Sequence, residues 1–500
     1  MPKKKLVMCL TVLLAAGTLA SCGSSTTKPK PGNGAIQLYL TDTPAFCDLL
    51  GLRLTITDVK VVTTVGANKV SLYPTNAPPY TTVDFLPLRD SFTVLNLGTL
   101  VEETYGTVEV SLSVPGISIY DPTQTPPRRT VSPTLTSGTP SFALNPNLVV
   151  QKNSSGNIPL QALKLDFDVA RSVQLGVDTS GNPTATVNPV FTATILSSTA
   201  GQDLATFDDL YGFVSSVSTT STNPEFIGSF VLQTLTRNTI AGTGPALTIN
   251  LTSKTQISGF PALNQLLTDS YTEVEGKIDS SGNFIADTVV VEDQEDPTQS
   301  KLAFLGVPLG ITRDANGNPT QFDLYVGSTV PGDNTNVPDD AVVTVTVSPS
   351  TTFQASSPLT NFANLTFGPS NLALGQRIAV HGTYTKSPDK SISLPADKVF
   401  LRLQTLQGNF SSFINVGSDD RTGAFQLSPC CTILKTSPIY VLTNNQTVFV
   451  NLPGLSGLTP QPSLLVRGLP FLEQSATTIN GIAIPAGTMV VLARQVHRIS

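Results

Sequence analysis

The sequence predicts an all-β chain, an N-terminal β-sandwich followed by three tandem small OB-like β-barrels. Three observations carry this. Apolar and polar residues alternate with the two-residue period of half-buried strands, and helical periodicity is scarce. Turn residues punctuate these segments, with 37 Gly and 38 Pro among 500 residues. From about Leu210 onward, short signatures recur in the same order three times. Composition sets the outer bounds. Hydrophobic residues are 40% and charged residues 13%, too apolar and too weakly charged for a chain disordered throughout. The formal net charge of -6 lacks the basic footprint of a nucleic-acid binder. With 2 His, most zinc and Ser-His-Asp chemistry is nearly excluded.

Residues 1–21 read as a secretory signal peptide. Lys3, Lys4 and Lys5 form a basic region, Leu6 to Ala16 an apolar one, and small residues follow. The apolar centre is short for a transmembrane span. Leu19-Ala20-Ser21-Cys22 resembles a bacterial lipobox. That resemblance implies cleavage before Cys22 and lipidation of its thiol as the lipoprotein anchor. The expected location is therefore the bacterial cell envelope, bound to membrane through Cys22. In a Gram-negative cell the expected site is the outer membrane, because residue 23 is Gly rather than Asp. Two or three acyl chains make an anchor durable where one is marginal. Residues 22–34, CGSSTTKPKPGNG, form a flexible tether.

The sandwich is expected over 35–198. Ala35–Leu40, Leu52–Thr57, Thr107–Val114 and Leu163–Val169 alternate as strands. After the first, Thr41-Asp42-Thr43-Pro44 reads as a turn, with Asp42 bonding backbone N–H groups and Pro44 fixing φ. Thr41, Asp42 and Pro44 are its candidate ligand-contact residues. Asp90–Glu102 and Pro261–Leu267 have room for one to three helical turns. Between Tyr120 and Ser141 lies a Pro/Thr-rich stretch with Arg128-Arg129 at its middle. That composition reads as a surface loop or insertion. Asp178-Thr-Ser-Gly-Asn, Asp279-Ser-Ser-Gly-Asn and Asp314-Ala-Asn-Gly-Asn, with the variant at Asn153, read as hairpin loops. A calcium site would need further oxygens and a bidentate Glu, which these loops lack.

The three barrels are expected over 208–298, 302–402 and 404–500. Each opens with a Gly in its first strand: Gly212, Gly306, Gly408. An F-x-L step follows: Phe230-Val231-Leu232, Phe322-Asp323-Leu324, Phe425-Gln426-Leu427. Then comes T-x-apolar: Thr255-Gln256-Ile257, Thr351-Thr352-Phe353, Thr447-Val448-Phe449. V-x-G ends a later strand: Val274-Glu275-Gly276, Val380-His381-Gly382, Val466-Arg467-Gly468. A closing strand carries Ala286 and Val289, Ala396 and Val399, or Ala493 and Val496. About five strands, with a short irregular piece between third and fourth, suit a barrel that closes its own edges.

Cysteine use fits an oxidising compartment. Cys9 leaves with the signal, Cys22 is lipidated, and Cys47, Cys430 and Cys431 remain as candidate disulfide partners. A vicinal Cys430–Cys431 bridge, a bridge from either to Cys47, and reduced thiols all stay open. No C-x-x-C spacing is present.

Residues 35–198 resemble the bacterial family named domain of unknown function 4382. The matching residues are Leu40-Thr41-Asp42-Thr43-Pro44, Ile56-Thr57-Asp58-Val59, Val83-Asp84-Phe85-Leu86, and Leu165-Asp166-Phe167-Asp168 followed by Ser172-Val173. The aromatic usual near position 72 is not a Trp here. The later repeats are similar to domain-of-unknown-function family 5666, through F-x-L and V-x-G. Both resemblances imply an all-β envelope lipoprotein and no set activity.

The search for chemistry is nearly empty. His381 and His497 sit in strand positions, and no G-x-S-x-G elbow, P-loop, G-x-G-x-x-G after a strand or H-E-x-x-H occurs. Asp166 and Asp168 share one strand face as a carboxylate pair. The run Glu292-Asp293-Gln294-Glu295-Asp296 reads as a solvated linker. Tyr39, Tyr73, Tyr80, Tyr105 and Tyr120 are the available sugar-stacking platforms. No catalytic residue, metal or cofactor is expected. The expectation is a non-catalytic, lipid-anchored envelope protein acting as a structural or adhesive scaffold that projects its three barrels. Its expected partners are the membrane, glycans or envelope proteins, and no nucleic acid. The alternative is a carbohydrate-binding lipoprotein, which exposed tyrosine clusters on a barrel face would favour over Ser/Thr faces.

Overall fold

Alternation builds the first layer. In the strand Leu49–Thr63, Leu52, Leu54 and Ile56 are buried, while Arg53, Thr55 and Thr57 between them are half-buried. The computed structural model describes residues 34–43, 49–65, 68–73, 81–86, 93–153, 158–197, 203–234, 245–259, 262–268, 270–293, 302–330, 337–338, 340–355, 362, 365–430, 433–434, 439–459 and 462–499. Nearly all of its regular structure is strand.

Two sheets form the N-terminal sandwich. One orders Phe191–Ser197, Gln161–Asp168, Gly34–Thr43 and Thr93–Leu100, with the central two parallel. The other centres on Leu49–Thr63 and Glu103–Tyr120, flanked by Lys69–Ser71, Thr81–Asp84, Arg128–Val131 and Ser141–Val150. Leu38, Leu40, Leu165 and Phe167 of the first meet Leu54, Ile56, Val108 and Val110 of the second in one core.

Two expectations are corrected here. Residues 90–102 do not form helix in their described part. Thr93–Leu100 is a strand paired to Gly34–Thr43, which buries Leu95 and Leu100 in the core. The Pro/Thr-rich stretch is more than surface loop. Arg128–Val131 pairs with Glu103–Tyr120 and buries Val131, and Pro133–Leu135 runs parallel to Pro183–Val187. Pro133 opens its strand, where a missing N–H is tolerated.

The Asp-Gly loops are hairpins. Asp178 Oδ1 accepts from the N–H groups of Ser180 and Asn182, both at 2.8 Å, and Asp279 and Asp314 repeat the pattern. Gly181, Gly282 and Gly317 supply φ of 80°, 79° and 82°. The Asn182 donors, foremost its backbone N–H, hold the exposed Asp178 carboxyl below its usual range. The variant at Asn153 continues outside the described residues.

Each barrel orders its strands 1-2-3-5-4, closing 4 onto 1, with the third parallel to the fifth. The first uses Ala205–Ser218, Gly228–Thr234, Ala246–Ser258, Tyr271–Ile278 and Phe284–Asp293. In the second the third strand splits into Val342–Thr346 and Thr352–Ala355, and the fifth into Ile392–Pro395 and Lys398–Leu401. Leu302–Arg313, Pro319–Val330 and Ile378–Gly382 complete it. The third uses Gln404–Val416, Gly423–Pro429, Ile439–Thr443 with Val448–Val450, Ser463–Glu473 and Thr488–Arg498. Between third and fourth strands each carries one short 3-10 turn, Leu263–Gln265, Pro369–Asn371 or Leu455–Leu458.

The recurring signatures mark the tight places of this topology. Phe230, Leu232, Phe322, Leu324, Phe425 and Leu427 fill the interiors, with Val274, Val380 and Val466. A Cβ on Gly212, Gly306 or Gly408 would collide with a second-strand carbonyl oxygen. One on Gly276, Gly382 or Gly468 would collide with a carbonyl oxygen at the fifth strand. The Thr and Ala signatures are two ends of one bond. Thr255, Thr351 and Thr447 donate Oγ1–H to the carbonyls of Ala286, Ala396 and Ala493 at 2.7, 2.7 and 2.9 Å. Each hydroxyl also accepts from the N–H three residues earlier, at Thr252, Ser348 or Asn444.

Thr447→Val removes both bonds at a buried site and should lower unfolding free energy by about 1–3 kcal/mol. Gly306→Ala, forced against a backbone carbonyl, should also destabilise. Denaturant midpoints measure both, and an unchanged T447V midpoint would show that the hydroxyl bridge contributes nothing.

Candidate functional site

The charged groups converge between the domains. Strand alternation turns Glu273 and Glu275 outward from the first barrel, on either side of buried Val274. That outer face is covered. Arg402, just beyond the second barrel's closing strand, pairs with Glu273, and their residues are 0% and 1% exposed. The Arg402 guanidinium lies 4.7 Å from the Tyr211 ring centroid, a cation–π contact. The Tyr211 hydroxyl donates to Glu273 Oε1 at 3.3 Å. Tyr211 stacks on Tyr271 at 5.8 Å, and with Phe213 they pack on Ala303, Leu305, Ala379 and Phe400 of the second barrel. From the third barrel, Arg494 pairs with Glu275. Corresponding positions of the other barrels are also buried. His381 meets Phe400 edge-on at 5.2 Å, and Arg467 donates to Thr405 Oγ1 at 3.2 Å.

The sandwich joins the same body. Tyr39, Val94 and Ala162 on one outer face enter the first barrel's core cluster. Leu50 packs with Leu309 and Tyr325 of the second barrel, and Ile433 of the third joins them. Tyr325 donates its hydroxyl to Asp340 Oδ1 at 2.6 Å, and Arg53 pairs with Asp340. Leu469, Phe471, Val490 and Leu492 of the third barrel share the second barrel's core cluster. The expected projecting string of barrels is thereby corrected, because apolar faces and buried charges pack them together. Among the described residues, clefts lie at two of these junctions. One of about 320 Å³ lies among the barrels, walled by Gln256, Asp287, Asn444 and Arg494. The other, about 720 Å³, separates sandwich and second barrel.

Apart from Tyr39, Tyr120 and His381, the described candidate residues from the sequence do not gather at these junctions. Cys22, Pro44, Cys47 and Cys431 lie outside the described residues, as do Tyr80 and Gln294, Glu295 and Asp296 of the acidic run. Cys430 is disulfide-bonded, and its partner sulfur lies outside the described residues. Thr41 and Asp42 are strand residues rather than turn residues. Parallel pairing with Asp166 and Phe167 carries the first strand on to Thr43. Asp168 caps a one-turn helix by accepting from the Arg171 N–H at 2.9 Å. His497 Nε2 is 3.1 Å from Asn451 Nδ2.

The proposed stacking tyrosines are corrected too. Tyr39, Tyr73 and Tyr105 are buried, and burial pushes the Tyr39 and Tyr105 hydroxyls above their usual range. No described tyrosine is exposed, whereas Ser215, Ser216, Ser411 and Ser412 lie on exposed barrel faces. Sequence reasoning missed Arg402, Glu273, Arg53 and Asp340. The one available signal was Glu-Val-Glu: two carboxylates on one strand face, in a chain with few charges. Among the described residues no helix is long and apolar enough to cross a membrane, and no three His, Cys, Asp or Glu converge as metal ligands.

Residues 33–189 match the family described as domain of unknown function (DUF4382), which covers the sandwich core. No curated protein and no solved structure matches the chain.

Arg402→Leu strands a buried carboxylate and should cost about 3–5 kcal/mol. Replacing Glu273 by Leu as well should recover most of that loss. Urea unfolding of wild type, single and double variants measures it, and a single variant as stable as wild type would contradict the desolvated pair.

Proposed function

We propose that this chain is a non-catalytic, lipid-anchored protein of the bacterial cell envelope that serves as a rigid scaffold or adhesive platform. Its signal peptide ends at Ser21, Cys22 carries the lipid, and in a Gram-negative cell the anchor sits in the outer membrane. Residues 22–34 give the body reach from the bilayer. The three barrels are the repeats similar to family 5666. Partners are the membrane through Cys22 and, beyond it, glycans or other envelope proteins.

One observation carries this reading. The buried charged pairs and several of the aromatic side chains between the barrels are engaged in joining domains. Glu273, Glu275, Arg402 and Arg494 pair across the barrels, and Tyr211, Tyr271 and Tyr325 lie in the seams. Catalysis needs titratable groups convergent in an accessible pocket. Such seams favour a body that keeps its shape under load. The Ser/Thr character of the exposed barrel faces favours the scaffold over sugar stacking.

Two experiments test it. Wild type should partition into detergent, and Cys22→Ala should leave unprocessed or mis-sorted protein. Wild type wholly in the aqueous phase would remove the anchor. In a broad hydrolase screen no turnover is expected, and an activity lost on Asp166→Asn or Asp168→Asn would overturn the non-catalytic reading.

A further inference from the structure

The groove between sandwich and second barrel is built unlike the seams around it. Its volume of about 720 Å³ lies within the range of ~300–1,000 Å³ usual for small-molecule clefts. One wall comes from the Pro/Thr-rich segment and carries Arg128, with Gln124, Thr125 and Thr130. The other carries Asp340, Lys386 and Lys390. Among the described residues, Arg128, Lys386 and Lys390 line this groove with the carboxylate of Asp340, in a chain of net charge -6.

That carboxylate is already engaged. Asp340 pairs with Arg53 and accepts from the Tyr325 hydroxyl. The nearby Asp389 accepts from the Ser391 N–H and hydroxyl, at 3.0 and 2.7 Å, within its own turn. Arg128 is half-buried, and its guanidinium has no ion-pair partner among the described residues. Burial holds Arg128 below its usual range, with Tyr325 opposing the shift and the Arg53 charge adding to it, so an incoming anion would relieve part of the desolvation. Lys390 sits exposed at a turn with φ of 70°.

We propose that this groove binds an acidic oligosaccharide through the carboxylate of a uronate unit. A planar guanidinium takes a carboxylate through two parallel hydrogen bonds, and the exposed Lys390 adds a point charge. Gln124, Thr125 and Thr130 offer amide and hydroxyl partners for ring hydroxyls. Pro126, Pro338 and Ile392 offer apolar contact to ring carbons, and no aromatic residue lines the groove among the described residues. Phosphate offers no ring carbons to Pro126, Pro338 and Ile392, so it fits this lining less well. This site takes up the carbohydrate alternative without the tyrosine stacking first expected of it, and it stands independently of the scaffold reading.

The test is titration calorimetry of the full chain in detergent, with trigalacturonate, neutral maltotriose and inorganic phosphate. Trigalacturonate should bind at low salt and weaken at high salt, with maltotriose at least tenfold weaker. Arg128→Gln should weaken trigalacturonate at least tenfold and Lys390→Gln about threefold. Because Lys390 is exposed, K390Q keeps the test valid if R128Q fails to fold, as thermal melting will tell. No binding of trigalacturonate, equal binding of maltotriose, tighter binding of phosphate, or wild-type affinity in K390Q would each overturn the proposal.

Discussion

The parallel contact between third and fifth strands is the constraint on which each barrel depends. Every other neighbour in the ring is antiparallel, and hairpins can supply several of those pairs. A parallel pair needs a crossover, so the chain must leave the third strand, make the fourth and return. The third strand must also bend to follow a small closed ring. In the second barrel it breaks between Thr346 and Thr352, and in the third between Thr443 and Val448. The threonine hydroxyl sits at that bend. It satisfies the N–H that the bend frees on one side and holds a fifth-strand carbonyl on the other. Glycines at the first and fourth strands then let neighbouring backbones approach where the ring is tightest.

Closed barrels have few free edges, so they join through side chains on their outer faces. Here those faces are partly apolar and partly ionic. The apolar part, Tyr211, Phe213 and Tyr271 against Leu305 and Phe400, supplies most of the attraction. The ionic part supplies register, because a fully buried carboxylate tolerates only the arrangement that brings its cation. Glu273 and Glu275 lie two residues apart on one strand and meet arginines from two different barrels. One short strand therefore fixes the positions of two neighbours.

Much of the fold was legible because core positions obey a local rule. Phe230, Leu232 and Val274 follow a period of two, and their repetition marked strands that recur along the chain. The Thr and Ala signatures were visible separately, but their shared hydrogen bond joins residues 31 to 46 positions apart and leaves no periodic trace. The junctions were hidden for a related reason. Alternation assigns Glu273, Tyr39 and Tyr325 to an outer face without saying whether water or another domain covers it. The helical option over 90–102 failed because its apolar spacing fits two periods, and a sheet partner at Gly34–Thr43 decided between them. Val131 was obscured by its Pro- and Thr-rich surroundings, though an edge strand tolerates such neighbours. The groove at Arg128 depends on two segments roughly 210 to 260 positions apart, beyond any local pattern.

The two glutamates also impose a timetable. A chain made from its N-terminus presents Glu273 and Glu275 long before Arg402, and Arg402 well before Arg494. Until each arginine arrives, its carboxylate can remain only where water reaches it. The first barrel's outer face must therefore stay hydrated while the second and third barrels are still emerging. Docking becomes favourable in two steps, each set by one late residue. A chain stalled after its second barrel would carry one neutralised glutamate and one wet seam, a surface that chaperones and proteases can distinguish from the finished body.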